Sequence, residues 1–198
     1  MSDSVYYIHF KSKTMNPCFL TDNAYREATS TWLCRGCVRP KHDTQRIDAH
    51  IQDREPEGPL NLVSGCGLPL AQKSFLFAFG QERIERDLYL GQVFGPDGSR
   101  LDDWVTFRGK QRLIVRGTKN VSHRVCADCG RDVYFAMGTR YLYPAPPSDV
   151  ELFESDLFGL IVLESVVSEL EIPRHARVVR ERLRVLKEPK DGLPPLSF

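Results

Sequence analysis

The chain is expected to fold as an α+β protein: mostly antiparallel sheet with short helices, stapled by a zinc-ribbon-like four-cysteine site that carries a long insertion. Three observations predict this. Strand and helix signals follow one another without the regular β-α-β alternation of parallel folds. Four of the six cysteines stand in two Cys-x-x-Cys pairs, Cys34 with Cys37 and Cys126 with Cys129. The helical stretches are short, and the chain of 198 residues is long enough for one good-sized core.

Residues 5–10 are β-branched and aromatic and read as an N-terminal strand. Thr21, Asp22 and Asn23 look like a helix cap ahead of a short helix over 24–31, which leads into the first cysteine pair. Residues 46–51 alternate Ile47, Ala49 and Ile51, as a strand with one buried face does. The stretch 53–59 is a loop by composition, and 72–85 carries helical spacing with Phe75, Phe79 and Leu76 inward. Residues 88–94 read as a strand that ends in a Pro96–Gly98 turn. Strands over 104–107, 112–115 and 133–135 are expected to pair as one antiparallel sheet beside the cysteine turns. Prolines over 142–148 mark a crossing. An apolar run at 158–163 opens a short helix at 164–170, and a charged element follows over 177–186. The division expected is an α+β region over 1–147 holding both cysteine pairs, a C-terminal α/β element over 148–190 packed on it, and a tail over 191–198. The order of apolar entry, short helix and strand occurs twice, at 67–94 and from 158 onward, which suggests a degenerate internal repeat.

Composition excludes several classes. The formal net charge is +1, so no global field attracts nucleic acid or membrane. No charged and apolar leader opens the sequence, and no apolar run is long enough to cross a bilayer, so a cytoplasmic location is expected. In that compartment paired thiols favour metal over disulfides. No phosphate loop, zinc-protease motif or nucleophile elbow is present, and no enzyme is expected.

Two thiolates on one tight turn can grip a metal ion, and a second such turn completes a tetrahedron. Cys34, Cys37, Cys126 and Cys129 are therefore the candidate ligands of one Zn²⁺, with His42 and His123 in reserve. A redox role for the pairs is the competing reading; it requires cysteines opening a helix. The 88 residues between the pairs are no obstacle. Closing so long a loop costs about 1.4 kcal/mol more than closing an 18-residue one, and a structural zinc contributes roughly 10–16 kcal/mol. Cys18 and Cys66 read as buried, unpaired thiols. Cys66 stands between two glycines, which suits a tight backbone approach.

The layout resembles the double-CxxCG motif proteins that occur as paralogous sets in myxobacteria, some of which are described as immunity proteins of Sit-type toxin systems. The residues that carry the resemblance are Cys34, Cys37, Cys126, Cys129, Gly130 and Arg131, with Asp156, Leu157, Phe158, Ile161 and Val162 further on. Val38 stands where the family's first pair has its glycine. The resemblance implies a small zinc-binding protein that neutralises a cognate toxin by direct binding, with no catalytic residues. Acidic stretches are candidate docking surfaces for a basic toxin. One comprises Glu151, Glu154 and Asp156, with Asp149 before them; another comprises Asp53, Glu55 and Glu57. The alternative is a zinc-ribbon protein binding nucleic acid through Arg174, Arg177, Arg180, Arg182, Arg184, Lys187 and Lys190. That stretch lacks aromatic interleaving, so a nucleic-acid partner is not expected.

Overall fold

A computed structural model describes residues 4–10, 17–53, 55–119, 124–134, 136–143, 145–147, 149–157, 159–169 and 178–188. The fold is α+β, with mixed sheets in which antiparallel pairs predominate. Its strands are β1 (Ser4–Phe10), β2 (Ala49–His50), β3 (Leu60–Val63), β4 (Leu68–Gln72), β5 (Leu88–Phe94), β6 (Arg100–Gly109), β7 (Arg112–Leu113), β8 (Val115–Lys119), β9 (Arg124–Val125), β10 (Asp132–Val133), β11 (Met137–Leu142), β12 (Leu152–Ser155), β13 (Leu160–Leu163) and β14 (Val178–Val185). The helices are α1 (Asp22–Thr31), α2 (Lys73–Phe77), α3 (Gln81–Asp87) and α4 (Glu164–Glu169). One sheet runs β2-β5-β6-β4-β3, a second runs β7-β12-β13-β1-β14-β11-β8, and β9 and β10 form a two-stranded ribbon.

Inside these sheets one unit occurs twice. In the first, β6 lies between β4 and β5 and antiparallel to both, β3 flanks β4, and β2 runs parallel to β5. In the second, β1 lies between β13 and β14 and antiparallel to both, β12 flanks β13, and β11 runs parallel to β14. Helices connect β4 to β5 and β13 to β14. The repeat suggested by the sequence thus exists as topology. The N-terminal strand takes in the second unit the place that β6 takes in the first. Strands from both sides of position 147 therefore share one sheet.

Strands β3, β4, β12 and β13 are buried on both faces. Tyr6 and Ile8 point to one core and Val5 and Tyr7 to another, as period-2 alternation requires. Ile8, Leu152, Leu160, Val162 and Val166 from the second unit meet Phe75, Phe79, Ile84, Val105 and Phe107 from the first in a shared core. Burial on both faces explains the unbroken apolar run Leu160, Ile161, Val162. The opposite face of the five-stranded sheet packs against α1, whose Thr21 caps it by accepting from the Ala24 N–H at 3.2 Å.

Several sequence expectations need correction. The helix expected over 72–85 is two helices, because Gly80 turns the chain at φ 94°. The strand expected over 46–51 shrinks to β2, since the Asp48 carboxylate takes the Gln92 N–H in place of a backbone partner. The strands over 104–107, 112–115 and 133–135 do not form one sheet. β6 pairs with β4 and β5, while β7 and β8 are opposite edges of the seven-stranded sheet. Among the described residues β10 pairs only with β9, and Phe135 lies outside them. The charged element at 177–186 is a strand, β14, in the middle of its sheet. Gly65 and Gly67 around Cys66 serve a turn with positive φ (83° and 69°); a Cβ at Gly65 would meet open space.

Phe79 is fully buried where the two units meet, edge-on to Phe75 with ring centroids 5.8 Å apart. Phe79→Ala is expected to cost about 3–5 kcal/mol, read as a fall in the urea midpoint with an unchanged slope.

Candidate metal centre

The two cysteine turns are built alike. In the first, the Cys34 N–H donates to the Arg39 carbonyl at 2.9 Å and the Val38 N–H to the Cys34 carbonyl at 2.8 Å. In the second, the Cys126 N–H donates to the Arg131 carbonyl at 2.8 Å and the Gly130 N–H to the Cys126 carbonyl at 2.8 Å. Leu33 bridges Pro40 in one turn, and Val125 pairs with Asp132 in the other. The correspondence places each residue opposite one 92 positions later, as Cys34 to Cys126 and Cys37 to Cys129. It also explains Val38. Both turns need a left-handed residue at this point, and φ is 53° at Val38 and 69° at Gly130. A β-branched residue in that region is strained.

The four sulfurs lie within 4.8 Å of one another, with Cys34 to Cys126 at 3.7 Å and Cys37 to Cys129 at 3.8 Å. A tetrahedron of thiolates at a Zn–S distance of about 2.3 Å has S···S edges of about 3.8 Å. The cluster therefore fits a single tetrahedral ion, and its four thiols could hold a metal. Close packing makes it so: a Cβ on Gly36 would stand 2.9 Å from the Cys126 sulfur. Burial works against the Cys34 thiolate, but N–H groups of Cys37 and Gly36 and the Cys129 thiol outweigh it and bring the thiol down to about 7. Burial and hydrogen bonds with Cys34 and Cys129 push Cys37 up to about 12. Four adjacent thiols cannot all ionise without a cation among them, and a bound ion deprotonates all of them. Neither pair opens a helix: Cys34 follows the end of α1, and Cys126 leaves a strand. This removes the geometry that a redox pair uses. Cys18 and Cys66 are buried in the core beneath α1 and are not among the four clustered sulfurs.

His42 is not in the cluster. Its Nε2 accepts from Arg131 Nε at 3.1 Å, and burial together with Arg131, Arg112 and Arg108 pushes it down to about 4. His123 lies outside the described residues. The arginines of the two turns cross between the units. Arg39 donates to the Asp156 carbonyl, and Arg131 Nη2 donates to the Pro40 carbonyl at 2.6 Å.

The stretch Glu151, Glu154 and Asp156 is not a free acidic surface. Glu154 is 7% exposed, accepting from Arg108 Nε at 2.8 Å and Arg112 Nη2 at 3.1 Å. Burial alone would raise its carboxyl, but the two guanidiniums outweigh it and hold it below the ordinary range. Asp156 accepts from the Val115 N–H at 3.0 Å and the Tyr134 hydroxyl at 2.6 Å; burial raises its carboxyl. Glu151 is clamped by Arg86 at 2.6 Å and Arg83 at 3.1 Å. Asp149, Glu55 and Glu57 are exposed, and Asp53, also exposed, caps the Phe19 N–H at 3.1 Å. Sequence reasoning missed Arg39, Arg108, Arg112, Tyr134 and Asp87; the pairing of Arg39 with Arg131 at the same step as the cysteines was the available signal for one of them.

Comparison with family models, with curated proteins and with solved structures found no match. Among the described residues no helix is long and apolar enough to cross a membrane.

Two outcomes are expected. Val38→Gly relieves the left-handed strain and stabilises the fold by up to about 1 kcal/mol, read by chemical denaturation. Glu154→Gln leaves Arg108 and Arg112 without their counter-ion and costs about 3–5 kcal/mol at pH 7. Because the folded Glu154 carboxyl lies below its ordinary 4.5, its contribution is complete above that pH and is lost as pH falls through the folded value. The gap between the two proteins' urea midpoints should therefore narrow below pH 4.5.

Proposed function

We propose that this protein is a zinc-stabilised immunity-type protein that neutralises a cognate toxin by direct binding. The observation that carries the zinc part is the closed thiolate cluster. Four thiolates fill a tetrahedral zinc and leave no open position for water or substrate, so the ion's part is to hold structure. The toxin part rests on the likeness of layout to the double-CxxCG proteins, with the cysteines, Gly130, Arg131 and the Asp156, Leu157 pair in the same order. The partner, on this reading, is a protein, and the protein itself turns nothing over in the cytoplasm.

The internal pairing of Glu151, Glu154 and Asp156 argues that a toxin docks elsewhere. Phe19 and Tyr25, 49% and 45% exposed, line one shallow depression with Asp53. Their substitution tests a partner surface without touching the core. The nucleic-acid alternative is disfavoured by the surroundings of β14. Glu181 between Arg180 and Arg182 accepts from Arg140 at 2.9 Å, and Arg182 pairs with Glu164 at 2.5 Å. Arg174, Arg177 and Lys190 lie outside the described residues.

Purified protein should carry about one zinc per chain by elemental analysis. Cys126→Ser should release it and lower the thermal midpoint, since structural zinc is part of the folding free energy. A metal-free chain of equal stability would reject the zinc reading. For the toxin reading, co-expression with a neighbouring toxin-like gene should rescue growth and give a complex on purification. Rescue without a complex would reject direct neutralisation.

A further inference from the structure

The four clustered sulfurs are not equivalent. Cys34 and Cys126 are 3% and 5% exposed and face each other at 3.7 Å. Cys37 and Cys129 are only half-buried and face each other at 3.8 Å. The outer pair thus takes one sulfur from each turn. Two shallow depressions reach it. One, between the end of α1 and the second turn, is lined among others by Thr29, Arg35, Asp128 and Cys129. The other, beside the turn at 64–67, is lined among others by Cys37, Val38 and Cys66.

Oxidants select among cysteines by ionisation and access. A bound ion keeps all four sulfurs as thiolates, so access decides, and it favours Cys37 and Cys129. An oxidised sulfur at either position has the other in contact, as a sensing cysteine has its resolving partner. Neither cysteine pair opens a helix, so the within-turn dithiol of exchange enzymes is not what this fold builds. The closest sulfur contacts run from turn to turn instead. A disulfide of about 2.05 Å requires the outer sulfurs, 3.8 Å apart, to approach by about 1.8 Å.

We propose that Cys37 and Cys129 are a peroxide-sensitive switch, in which two-electron oxidation joins them across the two turns and releases the metal. The proposal rests on the metal reading and is independent of the toxin. The thiolate of Cys37 or Cys129 attacks hydrogen peroxide, takes up one oxygen as a sulfenic acid and expels hydroxide. The facing thiolate then attacks that sulfur, the S–S bond forms and a second hydroxide leaves. The two sulfurs together lose two electrons, and one peroxide gains them. Cys34 and Cys126 alone leave a tetrahedral site two ligands short. The new bond spans the same two turns as the ion, so the tie between them persists when the metal departs.

The test treats full-length, metal-loaded protein with one equivalent of hydrogen peroxide and then blocks the remaining thiols at acid pH. Peptide mapping gives the disulfide, and a chromogenic chelator gives the zinc released. The peptide linking Cys37 to Cys129 should exceed every other disulfide at least tenfold, with zinc released in step with it. Dithiothreitol and added zinc should restore the reduced, loaded protein. Cys66→Ala, which removes the other thiol lining the depression of Cys37, should leave the product unchanged. The oxidised chain should melt above the reduced, metal-stripped chain, because a bond between residues 92 positions apart still ties the turns. A first bond within either turn, a bond from Cys37 to Cys66, sulfinic acid without a disulfide, or zinc retained beside the Cys37 to Cys129 bond would each overturn the inference. Protein that purifies without metal and takes up none would instead reject the zinc reading, and its disulfide map would still decide whether the outer sulfurs join.

Discussion

Four sulfurs held within 4.8 Å of one another are the constraint on which the rest of this structure depends. They come from two turns of the same design, one from each half of a duplicated architecture. An ion between them would close an 88-residue loop, and the logarithmic cost of that closure is small beside the binding energy of a four-thiolate site. Such an ion acts between units as a cross-link does. It fixes the first turn, and hence α1 and the five-stranded sheet, against the ribbon β9–β10 and the seven-stranded sheet.

Polar side chains repeat the same tie by other means. Arg39 reaches from the first turn into the β12–β13 turn, and Arg131 reaches from the second turn back to Pro40 and His42. Glu154 in β12 binds Arg108 in β6, so a buried ion pair bridges the two sheets. Asp87 at the end of α3 accepts the N–H groups of Glu151 and Leu152, both at 3.0 Å. Each of these joins one unit to the other, and each is buried enough that losing a single partner leaves an unpaid charge or donor behind.

Much of this was legible in the sequence where local chemistry decides it. The strand at 88–94 and the cap at Thr21 follow from residue type and spacing alone. The four clustered thiols follow from the cysteine pairs, whose own turns bring two thiols together before any tertiary contact forms. Strand partners were not legible. β6, β8 and β10 look alike as β-rich runs, and nothing local says that each belongs to a different ladder. The acids at 151–156 misled for a related reason. In a strand buried on both faces, Glu154 occupies an interior position, and its arginine partners stand more than forty residues away in sequence. The repeat was faint because a core position preserves only apolar character and volume. The cysteines stay in step, each of the first pair 92 positions before its neighbour in the second.

The placement of β1 bears on how the chain is made. Among the described residues β1 pairs with β13 and β14, which follow every other strand of the fold in sequence. The first unit can assemble as soon as β6 has emerged, because all five of its strands are then present. The second cannot: its central strand must wait, carrying Val5, Tyr7 and Ile8, until β13 and β14 have emerged. Pairings of such sequence separation are slow and expose apolar edges meanwhile. Vectorial synthesis thus splits this duplicated protein into an early half and a late half. The early half already carries Cys34 and Cys37, so two of the four clustered thiols are in place long before β1 finds its partners.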